Sequence, residues 1–404
     1  MLPLFFTFTF YISHVFSQGT WTQKASLPAA GRGYGIGFTI GNYGYAGLGV
    51  DYSSSTFYND FWQYNPSTNA WIRKANFPGN ARVCPATFVV GNKAYVVTGF
   101  NNTNTSISEC WQYDAGTDTW TQLNDFPGGA RCCAVGFTIG TGYIGLGGQS
   151  QFYILYRDLW KYDTLTDTWA READFPATGR WGASAFTVFG KGYVCSGSDT
   201  TANFINNDLW AYDTVTNIWV QKSSCPDSVY AANGFAIGNN IYVGTGFNGD
   251  YYHTFWKYNS ITDAWTSEPN YIGGGEAFCS AFAIGDSGYM GLGIDSQINP
   301  YNDWYKFFDD TIATGLQNIS STANDISVYP NPFSSICNVS ILYSIMVQSP
   351  RFALYNILGN EVNVGMEKSN GGIIISKGNL QDGIYFLSIY YNNRNIIKKI
   401  VLMN

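Results

Sequence analysis

The chain is 404 residues long, with 45 Gly, 18% aromatic residues, only 12% charged residues and a net charge of −7. An acidic balance without a basic stripe argues against nucleic-acid binding. Only two His are present, and His14 lies near the start, so neither a multi-histidine metal centre nor an ordinary Ser-His-Asp triad can be assembled.

Residues 1–17 read as a secretory signal peptide. Leu2 to Phe16 is almost wholly apolar but too short to span a bilayer, and Val15-Phe16-Ser17 offers a small-x-small cleavage pattern ahead of Gln18. The usual Lys or Arg near the start is missing. No other segment is long and apolar enough for a membrane span.

A repeat occupies residues 18–309. Trp recurs in pairs (Trp62/Trp71, Trp111/Trp120, Trp160/Trp169, Trp210/Trp219 and Trp256/Trp265) at a period near fifty. Each unit holds four segments of strand character. A small apolar segment (AVGFTIG) follows a Pro by a few residues. A Tyr-x-x-x-Gly segment comes next, at Tyr45, Tyr95, Tyr143, Tyr193, Tyr242 and Tyr289. A segment of the NDLWAYD type and one opening on the second Trp (WTQL) complete the unit. Gly-Asn, Gly-Lys and Gly-Asp turns favour tight hairpins between the first two. Four antiparallel strands repeated at this period make a propeller blade. Closing strands begin at Trp21, Trp71, Trp120, Trp169, Trp219 and Trp265, and the other strands also occur six times. In the last copy Tyr305 and Phe307 replace Trp and Tyr. The segment at Trp21 precedes any blade of its own, and the sixth blade has no closing strand after it. The N-terminal strand is therefore expected to complete blade six and remove its open edge.

Residues 310–325 are small and polar and read as a linker. Residues 326–404 form a second unit, with six Lys/Arg against three Asp/Glu, where residues 1–325 carry fifteen against twenty-five. Alternation in RFALYNILGNEV and GIYFLSIYY, with a Gly359–Asn360 turn, predicts strands of a small β-sandwich.

The Tyr-x-x-x-Gly strand, the Trp-x-Tyr strand with its following Asp, and the closing Trp together resemble the kelch family. The chain departs from it in one respect: the double Gly after the Tyr strand survives only as Gly147–Gly148. The resemblance implies an all-β, six-bladed kelch-type β-propeller. In the tail, VYPNPF (Val328 to Phe333), FALYNILGNEV (Phe352 to Val362), LQDGIYFLSI (Leu380 to Ile389) and the terminal KKIVLMN resemble the type A C-terminal sorting domain of the type IX secretion system of Bacteroidota. That resemblance implies export to the periplasm, passage across the outer membrane through the type IX machinery, and a secreted or cell-surface protein.

The eight Cys include no Cys-x-x-Cys, so neither a zinc site nor a thioredoxin-like motif is suggested, and mostly buried thiols are expected. Asp114, Asp163 and Asp213 follow the Trp-x-Tyr strand and are expected to organise hairpin turns. Asp60, Asp158, Asp208 and Asp303 are equally repetitive. No calcium loop or phosphate-cradling Gly motif occurs, and no cofactor or metal is expected. His253 alone rules out a copper centre of the kind in the kelch-containing galactose oxidases.

Variation between copies gathers in the loops of one face, such as DYSSSTFYND, QSQFYILYRD and NGDYYHT, where a rigid scaffold tends to carry binding residues. Near the start of each innermost strand one column reads Arg32, Arg82, Arg131, Arg180, Tyr230 and Glu276, and it is expected to ring the channel mouth. Kelch proteins that bind acidic peptides use Arg at this position, and the planar guanidinium suits carboxylates. Trp181, outside the paired columns, is a candidate ligand platform. The expected function is noncatalytic binding of a glycan or an anionic protein segment. The alternative is a sugar-acid enzyme resembling kelch sialate mutarotases, with Arg holding the carboxylate and Glu276 with a Tyr handling protons.

Overall fold

The computed structural model describes residues 19–103, 105–149, 154–199, 205–309, 326–331, 333–341, 351–356, 361–369, 372–391 and 394–403. The expected signal peptide (1–17), the expected linker (310–325) and the expected turn at Gly359–Asn360 lie outside the described residues.

Over residues 19–309 the described chain forms six four-stranded antiparallel sheets. Blade one consists of Ile36–Ile40, Tyr43–Gly47, Phe61–Asn65 and Ala70–Lys74, paired in chain order. The first strands of neighbouring blades lie side by side around a central channel. One column of its wall reads Gly37, Thr87, Gly136, Ala185, Gly234 and Ala281. Small residues are needed there because the strands crowd together: a Cβ on Gly136 would lie 2.3 Å from the Thr87 carbonyl oxygen.

Ring closure follows the expected scheme. Thr20–Lys24 pairs antiparallel with Trp304–Phe308, with Trp21 opposite Phe307, and becomes the outermost strand of blade six. The Trp21 ring packs 5.0 Å from those of Phe255 and Tyr271 and 4.9 Å from Phe307, while its Nε1 donates to the Pro269 carbonyl (3.0 Å). The outer side of Trp304–Phe308 is thereby paired, and blade six gains the fourth strand that the other five blades have.

The closing Trp and the residue two before it pin neighbouring blades together. Asn69, Asp118, Asp167, Asn217 and Asp263 all adopt left-handed backbone, with φ from 49 to 57°. Asn and Asp tolerate that region better than other side chains. Each accepts a hydrogen bond from the Tyr of its own blade's third strand, as Tyr113 donates to Asp118 at 2.7 Å. Each also accepts an amide from the preceding connection, as Ala75 donates to Asp118 at 3.0 Å. Trp120 Nε1 then donates to the Ala75 carbonyl (2.9 Å), and Trp71, Trp219 and Trp265 repeat the contact. The repeated aromatics are blade-to-blade packing, as expected. Asp114, Asp163 and Asp213 accept turn amides at 2.8–2.9 Å, which is the hairpin role expected of them.

The double-Gly departure also has a physical account. Gly49, Gly99, Gly147, Gly197, Gly246 and Gly293 all have positive φ, and their amides donate to the next blade. A Cβ on Gly147 would lie 2.6 Å from the Cys132 carbonyl oxygen. The following position, where Gly148 stands, has no positive φ in any copy, so Val50, Phe100 or Phe247 serves as well.

The C-terminal unit has a four-stranded sheet (Ile326–Tyr329, Ile336–Ile341, Gly372–Ser376, Gly365–Ser369) and a three-stranded one (Arg351–Asn356, Gly383–Tyr391, Arg394–Leu402). Cys337, Val339, Ile341, Ile373 and Ile375 of the first share a core with Leu354, Leu387, Ile389 and Ile400 of the second. Ile336–Ile341 alternates exposed and buried along its length, the signature of a sandwich strand with one wet face.

Candidate functional site

Arg32, Arg82, Arg131 and Arg180 do not ring the channel mouth as expected. All four are at most 1% exposed. Each guanidinium is clamped by the carboxylate two residues before the first Trp of its own blade: Asp60, Glu109, Asp158 and Asp208. Arg131 Nη1 and Nη2 reach Asp158 at 2.5 and 2.9 Å, and Nη1 also donates to the Leu146 carbonyl (2.9 Å). Its guanidinium lies 3.7 Å over the Tyr156 ring and 4.9 Å from that of Phe126. The same carboxylates accept Nε1–H from Trp62, Trp111, Trp160 and Trp210 at 2.7–3.0 Å. Burial alone would raise the Asp60 and Glu109 carboxyls, but hydrogen bonds from Arg32, Arg82 and the two indoles hold both below the usual range. The column is a structural clamp.

The register slips in blade five. Gly147 N donates to the Arg180 carbonyl (2.8 Å), and the corresponding Gly197 N donates to Val229 (3.0 Å), not Tyr230. Val229 therefore takes the Arg position, because the loop after Pro226 is one residue shorter. Thr254 replaces the carboxylate, and Asp227 serves Trp256 Nε1 instead (2.6 Å). In blade six Glu276 takes the Arg position. Its Oε1 pairs with His253 Nε2 at 2.9 Å and its Oε2 accepts the Ser296 amide. Asp303 is left without an Arg, and burial raises its carboxyl above the ordinary range.

Tyr230 belongs to the neighbouring column, which reads Gly33, Val83, Cys132, Trp181, Tyr230 and Ala277 and bridges to the variable loops. Beside it, Tyr34, Cys84, Cys133, Gly182, Ala231 and Phe278 all have positive φ. Five amide-to-carbonyl bonds of 2.8–3.2 Å run from blade to blade around this collar. The collar repeats in every blade, so its backbone strain is part of the architecture.

Where the two columns meet the loops they enclose a cavity of about 290 Å³, lined by Tyr34, Tyr52, Phe100, Trp181, Tyr230, Phe247, Tyr251 and Phe278 with Val83, Cys84, Cys132 and Cys133. Tyr34 stacks on Phe278 at 3.7 Å, Trp181 packs 4.6 Å from Tyr230, and Tyr230 joins Phe247 and Phe278 at 5.6 and 6.2 Å. No charged side chain is among the lining residues. Burial raises the hydroxyls of Tyr34, Tyr52, Tyr230 and Tyr251, and hydrogen bonding to Cys133 together with burial raises the Cys132 thiol, so these groups stay neutral at physiological pH. Of the expected site residues, the structure brings together Trp181 and Tyr230. Glu276 and the Arg residues are not among the lining. Tyr34, Tyr52, Phe247, Tyr251 and Phe278 were missed. Aligning the copies on their invariant Gly in place of the Pro would have put Trp181 and Tyr230 in one column.

Six blades built on a Tyr-x-x-x-Gly second strand and closed by an N-terminal strand define a kelch-type β-propeller, here followed by a small sandwich at the C-terminus. Residues 81–127 match the family model of the Kelch motif, and residues 327–403 match that of the secretion system C-terminal sorting domain. The protein is thus a kelch-type propeller carrying a type IX sorting domain, exported to the cell surface or beyond. No curated protein matches its sequence. Among solved structures it is similar to that titled "Structure of YjhT", with a TM-score of 0.61 and 16% identity over 70% of this chain and 95% of the other. At that identity the likeness speaks to fold alone.

Proposed function

We propose that the exported propeller is a noncatalytic binding module whose ligand seats in the aromatic cavity at the channel mouth. The supporting observation is the convergence of eight rings from five blades on one uncharged cavity, while every Arg of the neighbouring column is buried and ion-paired. Large aromatic surfaces with tethered polar tips are efficient recognition groups, and the volume lies near the lower end of ligand pockets. Between the two ligand classes suggested by the sequence, this favours a glycan over an anionic protein segment, which would need unpaired cations. The sugar-acid enzyme loses its support for the same reason: each of the four guanidiniums assigned to the carboxylate is held by an acid of its own blade, and Glu276 is engaged by His253. The proposed domain limits are 18–309 for the propeller and 326–404 for the sorting domain, with 1–17 removed on export. The test is a glycan array probed with the propeller and its Trp181→Ala variant. Hits lost in the variant support the cavity; hits retained in full place binding elsewhere.

A further inference from the structure

Resting on that reading of the cavity, we infer that the group entering it is an N-methylated ammonium, free or carried as a substituent on a glycan or lipid headgroup. A glycan can seat such a substituent in the cavity and keep its sugar rings at the wet rim, where their hydroxyls are not desolvated without partners. The lining offers Tyr hydroxyls, one indole and three thiols, with no carboxylate, amide or guanidinium. A quaternary ammonium needs none of these. Its surface is methyl groups, which pack on ring faces, and its charge is attracted by the negative face of each aromatic ring. Trp and Tyr are the best donors of that attraction, and four Tyr and a Trp are present.

The surrounding charge has the matching sign. Tyr251 lies within electrostatic reach of Glu276 and Asp295. Asp51 adjoins Tyr52 of the cavity wall; slight burial opposes ionisation, but hydrogen bonds from Ser53 and Ser54 hold its carboxyl low. Asp295 is held low in the same way by Asn299 and Tyr301. The four Arg of the adjoining column are neutralised within their own blades. These carboxylates attract a cation approaching the mouth, and no Lys or Arg is among the residues lining the cavity. The same asymmetry sets an order among ligands. Choline should bind more tightly than glycine betaine or phosphocholine, because no cation lines the cavity to receive their carboxylate or phosphate.

The experiment titrates the exported protein with tetramethylammonium, choline, glycine betaine, phosphocholine and 3,3-dimethylbutan-1-ol, following heat and tryptophan fluorescence. The last compound has the shape of choline without its charge. Choline is expected to bind about tenfold or more tightly than that neutral isostere. Trp181→Ala and Tyr230→Ala should abolish the signal while melting stays close to that of the parent. Vesicles of phosphatidylcholine against phosphatidylglycerol, and glycans with and without a choline substituent, separate the sources of the group. Equal binding of choline and its isostere, or choline binding that survives both substitutions, overturns the inference. So does the absence of any ammonium binding at millimolar concentration. Array hits that depend on Trp181 but are not displaced by choline would defeat this inference alone. Hits that ignore Trp181 would defeat the cavity reading itself.

Discussion

Replacing Arg131 by Leu removes a guanidinium that donates to both oxygens of Asp158 and to the Leu146 carbonyl, inside a site with no exposure of the Arg. The Asp158 carboxylate would then rely on the indole of Trp160, which donates to it at 2.8 Å. Removing one partner of a buried pair leaves an uncompensated charge and costs about 3–5 kcal/mol. Blade five shows how the pair is lost without that penalty, because Val229 and Thr254 replace both members together. The double variant Arg131→Val/Asp158→Thr should therefore recover most of the loss, giving a coupling on the order of 2–3 kcal/mol in a double-mutant cycle. Urea unfolding of the parent, Arg131→Val, Asp158→Thr and the double variant supplies the four corners. Ligand affinity of the folded Arg131→Leu protein should match that of the parent, since Arg131 is absent from the cavity wall. If this variant unfolds like the parent but loses ligand, the clamp assignment is wrong and the column is the ligand grip first expected of it.

Asp303→Asn should stabilise the propeller by on the order of 1 kcal/mol at pH 7, because burial without an Arg penalises the ionised carboxyl. A raised folded-state pKa means that the penalty is complete above the folded value and vanishes below the unfolded value near 4. The advantage of Asn should thus fade in melts run below that pH; an equal gain at pH 3.5 would exclude the electrostatic cause. Asp60 and Glu109 carry the opposite sign: their depressed carboxyls lend stability that is lost as pH falls from about 4 through the folded values. Trp21→Ala should lower stability by roughly 3–5 kcal/mol and removal of residues 18–28 should cause aggregation or far earlier unfolding. Unchanged melting of the truncated chain would mean that blade six does not depend on its N-terminal strand.

Much of this protein was legible in its residues because the fold is written six times. Repetition turns weak local signals into columns, and the unequal count of strands at the two ends of the repeat, together with the edge it would leave, dictated closure through Trp21. The sorting sandwich was legible from alternation and from motifs at fixed order. The candidate site was not, for two physical reasons. A column of Arg looks the same in sequence whether it meets a ligand or a carboxylate of its own blade, and only the tertiary structure showed Asp60, Glu109, Asp158 and Asp208 returning to meet it. A one-residue deletion after Pro226 then shifted Tyr230 into the wrong column, an error that the hydrogen bond from Gly197 to Val229 corrects. The aromatic cavity arises only when segments of five blades, as far apart in the chain as Tyr34 and Phe278, are brought around one mouth. Local propensity encodes a blade, whereas the meeting of Tyr34 with Phe278 depends on the ring having closed.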